Sequence, residues 1–478
     1  MNNKLLSLIL LFAVLLSSCI GGTQLEENKA TFVNQHSCRI AGNDALCGNV
    51  PVYENRNDKS GRIINLNVAV IKATSKNPEL DPVFFLAGGP GEAATESTAN
   101  IQFLDQILGS KRDIVLVDQR GTGGSNRVTV PPTPDFSGLP PDELEAQFSE
   151  WLEQTLSELD MDPRYYTTSV AMDDLDEVRQ AFGYEKINLY GGSYGATAAQ
   201  YYLRQYEAQV RTVTLVAGSL LDVPLFELEP KHAQRTLDLM FKQCEADKRC
   251  HSAFPNLQAE FNELLNRLEQ NPAEVTINDN TIVLTRDVFA ARVEWITRDA
   301  SRITALPFWI HQAYETDRWA YFAQAGSHSF GSEVMPYIVR CSEKWATFTL
   351  DGITRRSPDS YLSSWSIGQA MQLAPVCKYA PHGETPEGVS PQPASEKPVL
   401  LFNGEWDILD PPENVAGVHD LWQNSLSLTI PWQSHELSNY SATLCMGNIV
   451  SDFIDNASVD DLDASCLKTI ASPIFKTK

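Results

Sequence analysis

The chain has 478 residues, of which 43% are hydrophobic and 21% are charged, a balance typical of a globular protein with a large core. Its formal net charge at pH 7 is −24. This acidity argues against a nucleic-acid partner, because binding to phosphates needs a basic surface. The length suggests one large domain with an insertion.

The first residues have the pattern of a targeting signal. An apolar run at 5–16 follows a basic residue and is too short to be a confident membrane span. It ends in Leu-Ser-Ser-Cys at 16–19, which resembles the bacterial lipoprotein signal. We therefore predict a signal peptide at 1–18, a lipidated Cys19 and a polar tether over 19–35, which attach an exported protein to a bacterial membrane. An ordinary secretory signal that contains a cysteine is the alternative.

The cysteine count agrees with export. Without Cys19, eight of the nine cysteines remain, an even number that suits disulfides in an oxidising compartment. Sequence alone does not fix the pairing, and pairing neighbours along the chain is the simplest choice. A zinc site is the rival, but the cysteines are scattered and form no Cys-x-x-Cys pair. The expected disulfides are Cys38–Cys47, Cys244–Cys250, Cys341–Cys377 and Cys445–Cys466.

The middle of the chain alternates between strand and helix patterns. Residues 62–72 alternate between apolar and polar, as in a half-exposed strand, whereas the later apolar runs are continuous, as in parallel strands buried on both faces. Helical patterns between these runs predict a parallel α/β sheet. The continuous runs lie at 82–87, 113–117, 187–190, 212–217 and 398–402.

The strand pattern stops for a long stretch before the last apolar run. Helical patterns dominate there, for example at 231–244, with a small β-like patch at 274–285. We predict a mostly helical cap over 222–397, inserted between the two parts of an α/β domain at 36–221 and 398–478.

The pentapeptide Gly-Gly-Ser-Tyr-Gly at 191–195 lies between an apolar run at 186–190 and a helical pattern at 196–206. A Gly-x-Ser-x-Gly pattern in that setting is the nucleophile elbow of α/β-hydrolases. The strained turn needs small neighbours. We therefore predict an α/β-hydrolase fold, with a mostly parallel central sheet flanked by helices, an inserted helical cap, and Ser193 as nucleophile. A chance Gly-Ser turn is the alternative.

A triad acid is expected after the cap, because α/β-hydrolases supply serine, acid and histidine in that order. The strand predicted at 398–404 runs into a turn, and Asp407 follows just beyond its carboxyl end, where such folds place catalytic groups. Asp410 immediately precedes Pro411 and better suits a loop or helix-capping role. Asp407 is the favoured acid.

Two histidines follow Asp407 in the chain. His419 lies in a plausible helix at 413–422, whereas His435 lies in a loop after a strand-like run at 426–431. A loop at a strand end can bring an imidazole over the serine, so His435 is the favoured base. Asp407 would then hold the imidazole in the Nδ1–H tautomer.

The oxyanion hole needs a second backbone amide besides that of Tyr194. The strand pattern at 83–87 ends in Gly-Gly-Pro-Gly at 88–91, where the backbone can approach a substrate closely. The amide of Gly88 or Gly89 is the candidate. A phosphate-binding loop is the alternative, but no Lys-Ser/Thr follows.

Three motifs in chain order resemble the proline iminopeptidase and tripeptidyl aminopeptidase family of serine peptidases. They are Gly-Gly-Pro-Gly at 88–91, Asp-Gln-Arg-Gly-Thr-Gly-Gly-Ser at 118–125 and the pentapeptide at 191–195. The resemblance runs from about residue 60 to the C-terminus. It implies release of N-terminal residues or tripeptides by an enzyme with a helical cap.

The resemblance also assigns roles. It makes Ser193, Asp407 and His435 the triad and places the second oxyanion amide on Gly89. It implies that Asp118 and Arg120 are structural and brace a turn beside the site.

The chain departs from the family at two positions. It has Ala87 where the family's loop often begins with histidine, and Ser434 where a glycine often precedes the catalytic histidine. Neither position performs the chemistry, so the departures put substrate preference in doubt rather than the reaction class.

An exopeptidase also needs a group that binds the substrate's free ammonium, and a partly buried carboxylate suits that role. The segment at 337–343 resembles one in the tripeptidyl members where an acid follows a cysteine by two residues. Glu343 is therefore the first candidate and Glu333 the second. The alternative is that each is one more solvated glutamate among the 61 acidic residues.

Together these patterns predict an exported, lipid-anchored serine aminopeptidase that acts through an acyl-enzyme on peptides with a free N-terminus, without metal or cofactor. A carboxylesterase or lipase with the same triad is the rival enzyme. A non-catalytic binding lipoprotein on a hydrolase scaffold is the third hypothesis.

Overall fold

The computed structural model describes residues 31–58, 61–129, 141–277, 280–325, 335–343, 348–379, 383 and 394–478. Within these ranges the chain forms eleven strands and sixteen α-helices. The strands are β1 (Val33–Ile40), β2 (Asn43–Tyr53), β3 (Ile63–Ile71), β4 (Val83–Leu86), β5 (Ile114–Val117), β6 (Ile187–Gly192), β7 (Val210–Val216), β8 (Ala273–Ile277), β9 (Asn280–Leu284), β10 (Val399–Gly404) and β11 (Ser425–Ile430).

The helices of the same ranges divide between the sheet and the stretch that separates β7 from β10. They are α1 (Thr98–Leu108), α2 (Pro141–Ser157), α3 (Thr168–Phe182), α4 (Tyr194–Gln205), α5 (Leu225–Ala246), α6 (Lys248–Ala253), α7 (Leu257–Gln270), α8 (Arg286–Thr297), α9 (Ala300–Ile303), α10 (Leu306–Thr316), α11 (Ala320–Gln324), α12 (Met335–Glu343), α13 (Leu350–Arg356), α14 (Ser363–Tyr379), α15 (Val418–Leu421) and α16 (Tyr440–Asn456).

Nine of the described strands form one sheet in the order β1-β2-β3-β5-β4-β6-β7-β10-β11. The pairs from β1 through β3 to β5 are antiparallel, and every pair from β5 to β11 is parallel. The predicted α/β-hydrolase sheet is therefore confirmed. Its parallel strands align their carboxyl ends on one edge, where active sites of such sheets lie.

Helices cover both faces of this sheet, as two neighbouring residues of one strand illustrate. Val115 of β5 belongs to a core that includes Leu175 of α3, whereas Leu116 belongs to a second core with Leu104 of α1 and Ile449 of α16. Burial on both faces explains the continuous apolar runs of the central strands.

The stretch between β7 and β10 is mostly helical where it is described. It contains α5 to α14 and the two-stranded hairpin of β8 and β9, and it has its own aromatic core, including Phe261, Phe289 and Phe322. We call this stretch the cap. At the other end of the chain, β1 begins at Val33, so the end of the tether predicted over 19–35 lies in the sheet.

Four disulfides join the described cysteines, in the same pairs that chain order predicted. Eight cysteines in disulfides indicate an extracellular or periplasmic protein. No helix in the described ranges is long and apolar enough to cross a bilayer, and Cys19 lies outside those ranges. The pairs are Cys38–Cys47, Cys244–Cys250, Cys341–Cys377 and Cys445–Cys466.

Candidate active site

Ser193 lies at the sharp turn between β6 and α4. Its φ is +54° and its ψ is −124°, a strained backbone conformation for a residue with a side chain. A Cβ on Gly191 would lie 2.1 Å from the carbonyl oxygen of Gly195, and a Cβ on Gly195 would lie 2.1 Å from that of Leu86. The two glycines are therefore what lets strand, turn and helix pack closely enough to expose the serine.

The structure brings Ser193, His435 and Asp407 together from three separate loops. Ser193 Oγ lies 3.0 Å from His435 Nε2, and His435 Nδ1 lies 3.1 and 3.2 Å from the two carboxylate oxygens of Asp407. This is the arrangement in which a serine hydroxyl donates to an imidazole whose other nitrogen donates to a carboxylate. All three residues were predicted as the triad.

The Asp407 carboxylate is fully buried and held in place by backbone amides. Its Oδ1 accepts from the amides of Leu409 and Asp410, each at 2.9 Å. Burial alone would raise the pKa of Asp407, but His435 and these two amides outweigh that effect and lower it. The group therefore stays ionised beside the imidazole.

Burial also acts on His435, where it favours the neutral ring. The charges of Asp407 and then of Asp410 oppose it and raise the pKa of His435 to about 9, while Arg298 works in the other direction. The two carboxylates therefore stabilise the protonated form of the imidazole relative to the neutral form.

Asp410 is a site residue that the sequence reasoning placed in a loop-shaping role. Its Oδ2 lies 3.7 Å from His435 Nδ1, and its Oδ1 accepts from Ser219 Oγ at 2.5 Å. The acid three residues after Asp407 was visible in the sequence, but only the turn brings it to the ring. His419, in contrast, lies in α15 with its Nδ1 3.0 Å from Ser425 Oγ.

The glycine-rich loop after β4 lies against the elbow. A Cβ on Gly88 would be 3.6 Å from Ser193 Cβ, and Gly89 has a φ of +107°. Both glycines and Tyr194, the first residue of α4, line the cavity above Ser193. The predicted oxyanion donors, the amides of Gly89 and Tyr194, are thus on the two loops that flank the nucleophile.

Asp118 and Arg120 are buried beneath the site, as expected of structural residues. Asp118 accepts from the Thr95 amide at 2.9 Å and from Asn67 Nδ2 at 2.8 Å. Arg120 donates two hydrogen bonds to Asp174, at 2.7 and 2.6 Å. Such paired buried charges hold loops in place.

Ser434, one of the two departures from the family pattern, is completely buried. Its hydroxyl lies 2.6 Å from the carbonyl oxygen of Thr297 and 3.0 Å from that of Trp406. Thr297 ends α8 of the cap and Trp406 follows β10. A glycine could not make this link between the histidine loop, the cap and the sheet.

A cavity of about 1140 Å³ opens above Ser193 and His435. The sheet side contributes the glycine loop and the elbow, and the cap contributes α5, α12 and α14. Aromatic and aliphatic side chains form much of the wall, including Phe103, Phe226, Tyr337, Phe348, Trp365 and Leu373. Concave, largely apolar sites with a few placed charges are typical of small-ligand pockets.

Glu343, the first candidate for amine binding, lines this cavity at the end of α12. Its carboxylate oxygens accept from the Thr168 amide at 2.7 Å and from Thr168 Oγ1 at 3.0 Å, so it also ties the cap to α3. Glu333 lies outside the described residues. Glu92 and Glu229 line the same cavity and were not among the predicted candidates.

The sheet, the elbow and the Ser–His–Asp arrangement define a hydrolase fold with a serine-type site. The chain belongs to the alpha/beta hydrolase fold family, whose model matches residues 81–438. This match includes all three residues of the predicted triad.

Among curated proteins, the chain is 22% identical over 313 residues to a putative hydrolase, YuaR, of Escherichia coli, covering 60% of this chain and 62% of that protein. It is 25% identical over 186 residues to the serine protease Hip1 of Mycobacterium tuberculosis, covering 36% of this chain and 35% of Hip1. The chain thus spans less than two thirds of the length of each relative.

Solved structures show distant similarity as well. A proline iminopeptidase of Mycobacterium smegmatis has 13% identity, with 86% of this chain and 98% of that chain covered and a TM-score of 0.37. A serine hydrolase of Cycloclasticus zankles has 11% identity, with 86% and 99% covered and a TM-score of 0.39. Similarity at this level carries no functional inference.

Proposed function

We propose that this protein is a serine exopeptidase that releases N-terminal residues or short peptides from substrates with a free N-terminus. The observation that carries the proposal is the Ser193–His435–Asp407 arrangement at the floor of a cavity whose wall holds carboxylates. The partial match to a serine protease, Hip1, adds support for the reaction class.

The reaction follows from the geometry. Ser193 Oγ attacks the scissile carbonyl carbon while His435 Nε2 takes its proton, and the negative charge develops on the carbonyl oxygen beside the Tyr194 and Gly89 amides. The C–N bond breaks as His435 returns the proton to the leaving amine. Water then attacks the carbonyl carbon of the acyl-enzyme while His435 takes one of its protons. The ester C–O bond to Ser193 breaks as His435 gives that proton to Ser193 Oγ, and the acid product leaves.

Amine recognition is assigned to Glu343. The Glu343 carboxylate lines the cavity and accepts from Thr168 and from the Tyr201 hydroxyl, contacts that hold it in place to meet an ammonium in the cavity. An ion pair out of bulk water is strong and directional, which suits a group that must select free N-termini.

A carboxylesterase is the second candidate function, and the largely apolar wall favours it, because such a wall also accommodates an acyl chain. The same triad cleaves esters without any amine-binding acid. A binding protein without turnover remains the third hypothesis.

One assay separates these functions. The purified protein is tested on peptide anilides with free and acetylated N-termini and on simple esters, with Ser193→Ala as control. The proposal requires Ser193-dependent cleavage of the free peptides, with the acetylated ones much slower. Equal cleavage of both, or cleavage of esters alone, would refute it, and no turnover of any substrate would favour the binding protein.

The amine anchor is tested in the same assay. Glu343→Gln is expected to raise KM for free peptides and leave ester cleavage nearly unchanged, whereas Glu315→Gln, an exposed acid on α10, changes neither. A KM increase from Glu229→Gln or Glu92→Gln instead would move the anchor to that residue.

We also propose that the protein is lipid-anchored through Cys19. The support is the signal pattern at 16–19 together with the export indicated by the disulfides. Growth with radiolabelled palmitate should label the wild type and not the Cys19→Ser variant. Equal absence of label from both would contradict the anchor.

A further inference from the structure

Arg340 is a cavity-facing cation on α12, one turn before Glu343. It is half-buried and lines the cavity. Burial lowers the pKa of its guanidinium, and the Glu229 carboxylate opposes that shift. An arginine stays charged even so. The cavity wall therefore carries a permanent positive charge.

Other charged groups on the wall have close partners within the protein. Arg298 Nε donates to Glu294 at 2.8 Å, and Glu436 accepts from Arg302 at 2.7 Å. Within the described ranges, in contrast, the Arg340 side chain makes neither a hydrogen bond nor an ion pair, and its guanidinium lies over the Phe226 ring, 5.9 Å from the centroid.

A guanidinium carries five N–H donors, and within the described residues the partly shielded charge of Arg340 is opposed through space by the Glu229 carboxylate rather than by a hydrogen-bonded partner. A ligand carboxylate suits both the donors and the charge, because it accepts two parallel hydrogen bonds from the planar fork. We infer that Arg340 forms a carboxylate-binding subsite, so that the preferred substrates carry an acidic group. This inference rests on the proposed function for its peptide substrates.

The place of that acid in a peptide follows from α12. Residues three apart on a helix have Cβ atoms about 5–6 Å apart, and an extended chain advances about 3.3–3.6 Å per residue. With the substrate ammonium at Glu343, the carboxylate at Arg340 belongs to the first or second residue of the substrate. The side chain of Asp or Glu supplies it, or the C-terminal carboxylate of a very short peptide.

The test uses full-length wild type and matched peptide anilides with Glu, Gln or Lys at the first or second position. Wild type should prefer Glu over Gln at one of them by about 10- to 100-fold in kcat/KM. Arg340→Gln should abolish that preference with little effect on Gln peptides, and Arg340→Glu should shift it towards Lys. Dipeptides and tripeptides with free or amidated C-termini show whether the carboxylate that Arg340 binds is the C-terminal carboxylate or that of a side chain.

Arg355→Gln is the matched control, because it removes an exposed positive charge from the cap away from the cavity. A wild type without preference for any carboxylate-bearing substrate overturns the subsite, and this result needs no variant to fold. The subsite is also overturned if an Arg340→Gln variant with a normal unfolding temperature loses kcat/KM equally on all substrates.

Nitrophenyl esters of succinate and butyrate separate this subsite from the peptidase proposal. An Arg340-dependent preference for the succinate ester, without peptide cleavage, would retain the subsite and refute the exopeptidase. Peptide cleavage with no carboxylate preference would retain the exopeptidase and refute the subsite.

Discussion

The Oδ2 atom of Asp410 lies 3.7 Å from His435 Nδ1, so the imidazole that faces Ser193 has two carboxylates on its far side. Both charges favour the protonated ring, and the pKa of His435 rises to about 9. This relationship links the turn after β10 directly to the pH dependence of any reaction at Ser193.

We expect kcat/KM to rise with pH through the neutral and alkaline range. The base must be neutral to accept the serine proton, so activity increases as His435 loses its proton, with a midpoint near the pKa of about 9. Rates with a neutral substrate across this range measure the midpoint. A plateau already reached below neutral pH would contradict the arrangement.

Replacing Asp410 by Asn should move this midpoint to lower pH. The variant removes one negative charge near His435 and leaves Asp407 in place, so the neutral imidazole becomes easier to form. The same pH profile is the measurement. Asp420→Asn, on the exposed side of α15, is the control that should leave the midpoint unchanged.

Asp407→Asn should instead lower kcat by a factor on the order of 10⁴.

Ser434→Ala should lower the free energy of unfolding by about 1–3 kcal/mol, because it leaves the buried carbonyl of Thr297 without its partner. Denaturant unfolding measures the loss. Ser75→Ala, at an exposed serine, should change stability little. If the two variants have the same free energy of unfolding, the hydrogen bond between the histidine loop and the cap contributes nothing to stability.

Removing the Cys341–Cys377 disulfide with two serines should lower stability by about 4 kcal/mol in the chain-entropy model and raise KM, because the bond joins α12 to α14 at the cavity wall. Removing Cys38–Cys47, at the sheet edge, should cost about 3 kcal/mol and leave KM unchanged. Kinetics with and without reductant provide a second measurement. Equal KM effects of the two pairs would oppose a role for α12 in binding.

The sequence was sufficient to predict the sheet and the three residues that meet at Ser193, because both depend on local patterns. Continuous apolar runs mark strands buried on both faces, and the elbow glycines at 191 and 195 are needed by the turn itself. Chain order then left few choices for acid and base, and the geometry brings Asp407 and His435 to Ser193.

The cavity wall could not be predicted in the same way. Glu343 contacts Thr168, 175 residues earlier in the chain, and Arg340 lines the same cavity as Ser193 only because cap helices pack over the sheet. Such contacts depend on tertiary packing between distant segments rather than on any local period. Asp410 was assigned to a loop or capping role for a smaller reason, since the sequence does not show that the three-residue turn brings both acids close to the ring.

The division of the chain between sheet and cap has a consequence for how such proteins diversify. Ser193, Asp407 and His435 come from segments on either side of the cap, whereas the proposed binding residues Arg340 and Glu343 come from one nine-residue helix within it. Mutations in that helix can alter which molecules are accepted while the bond-breaking groups stay untouched. Exchange of this single short segment would therefore change the substrate range of such a protein and leave its triad intact.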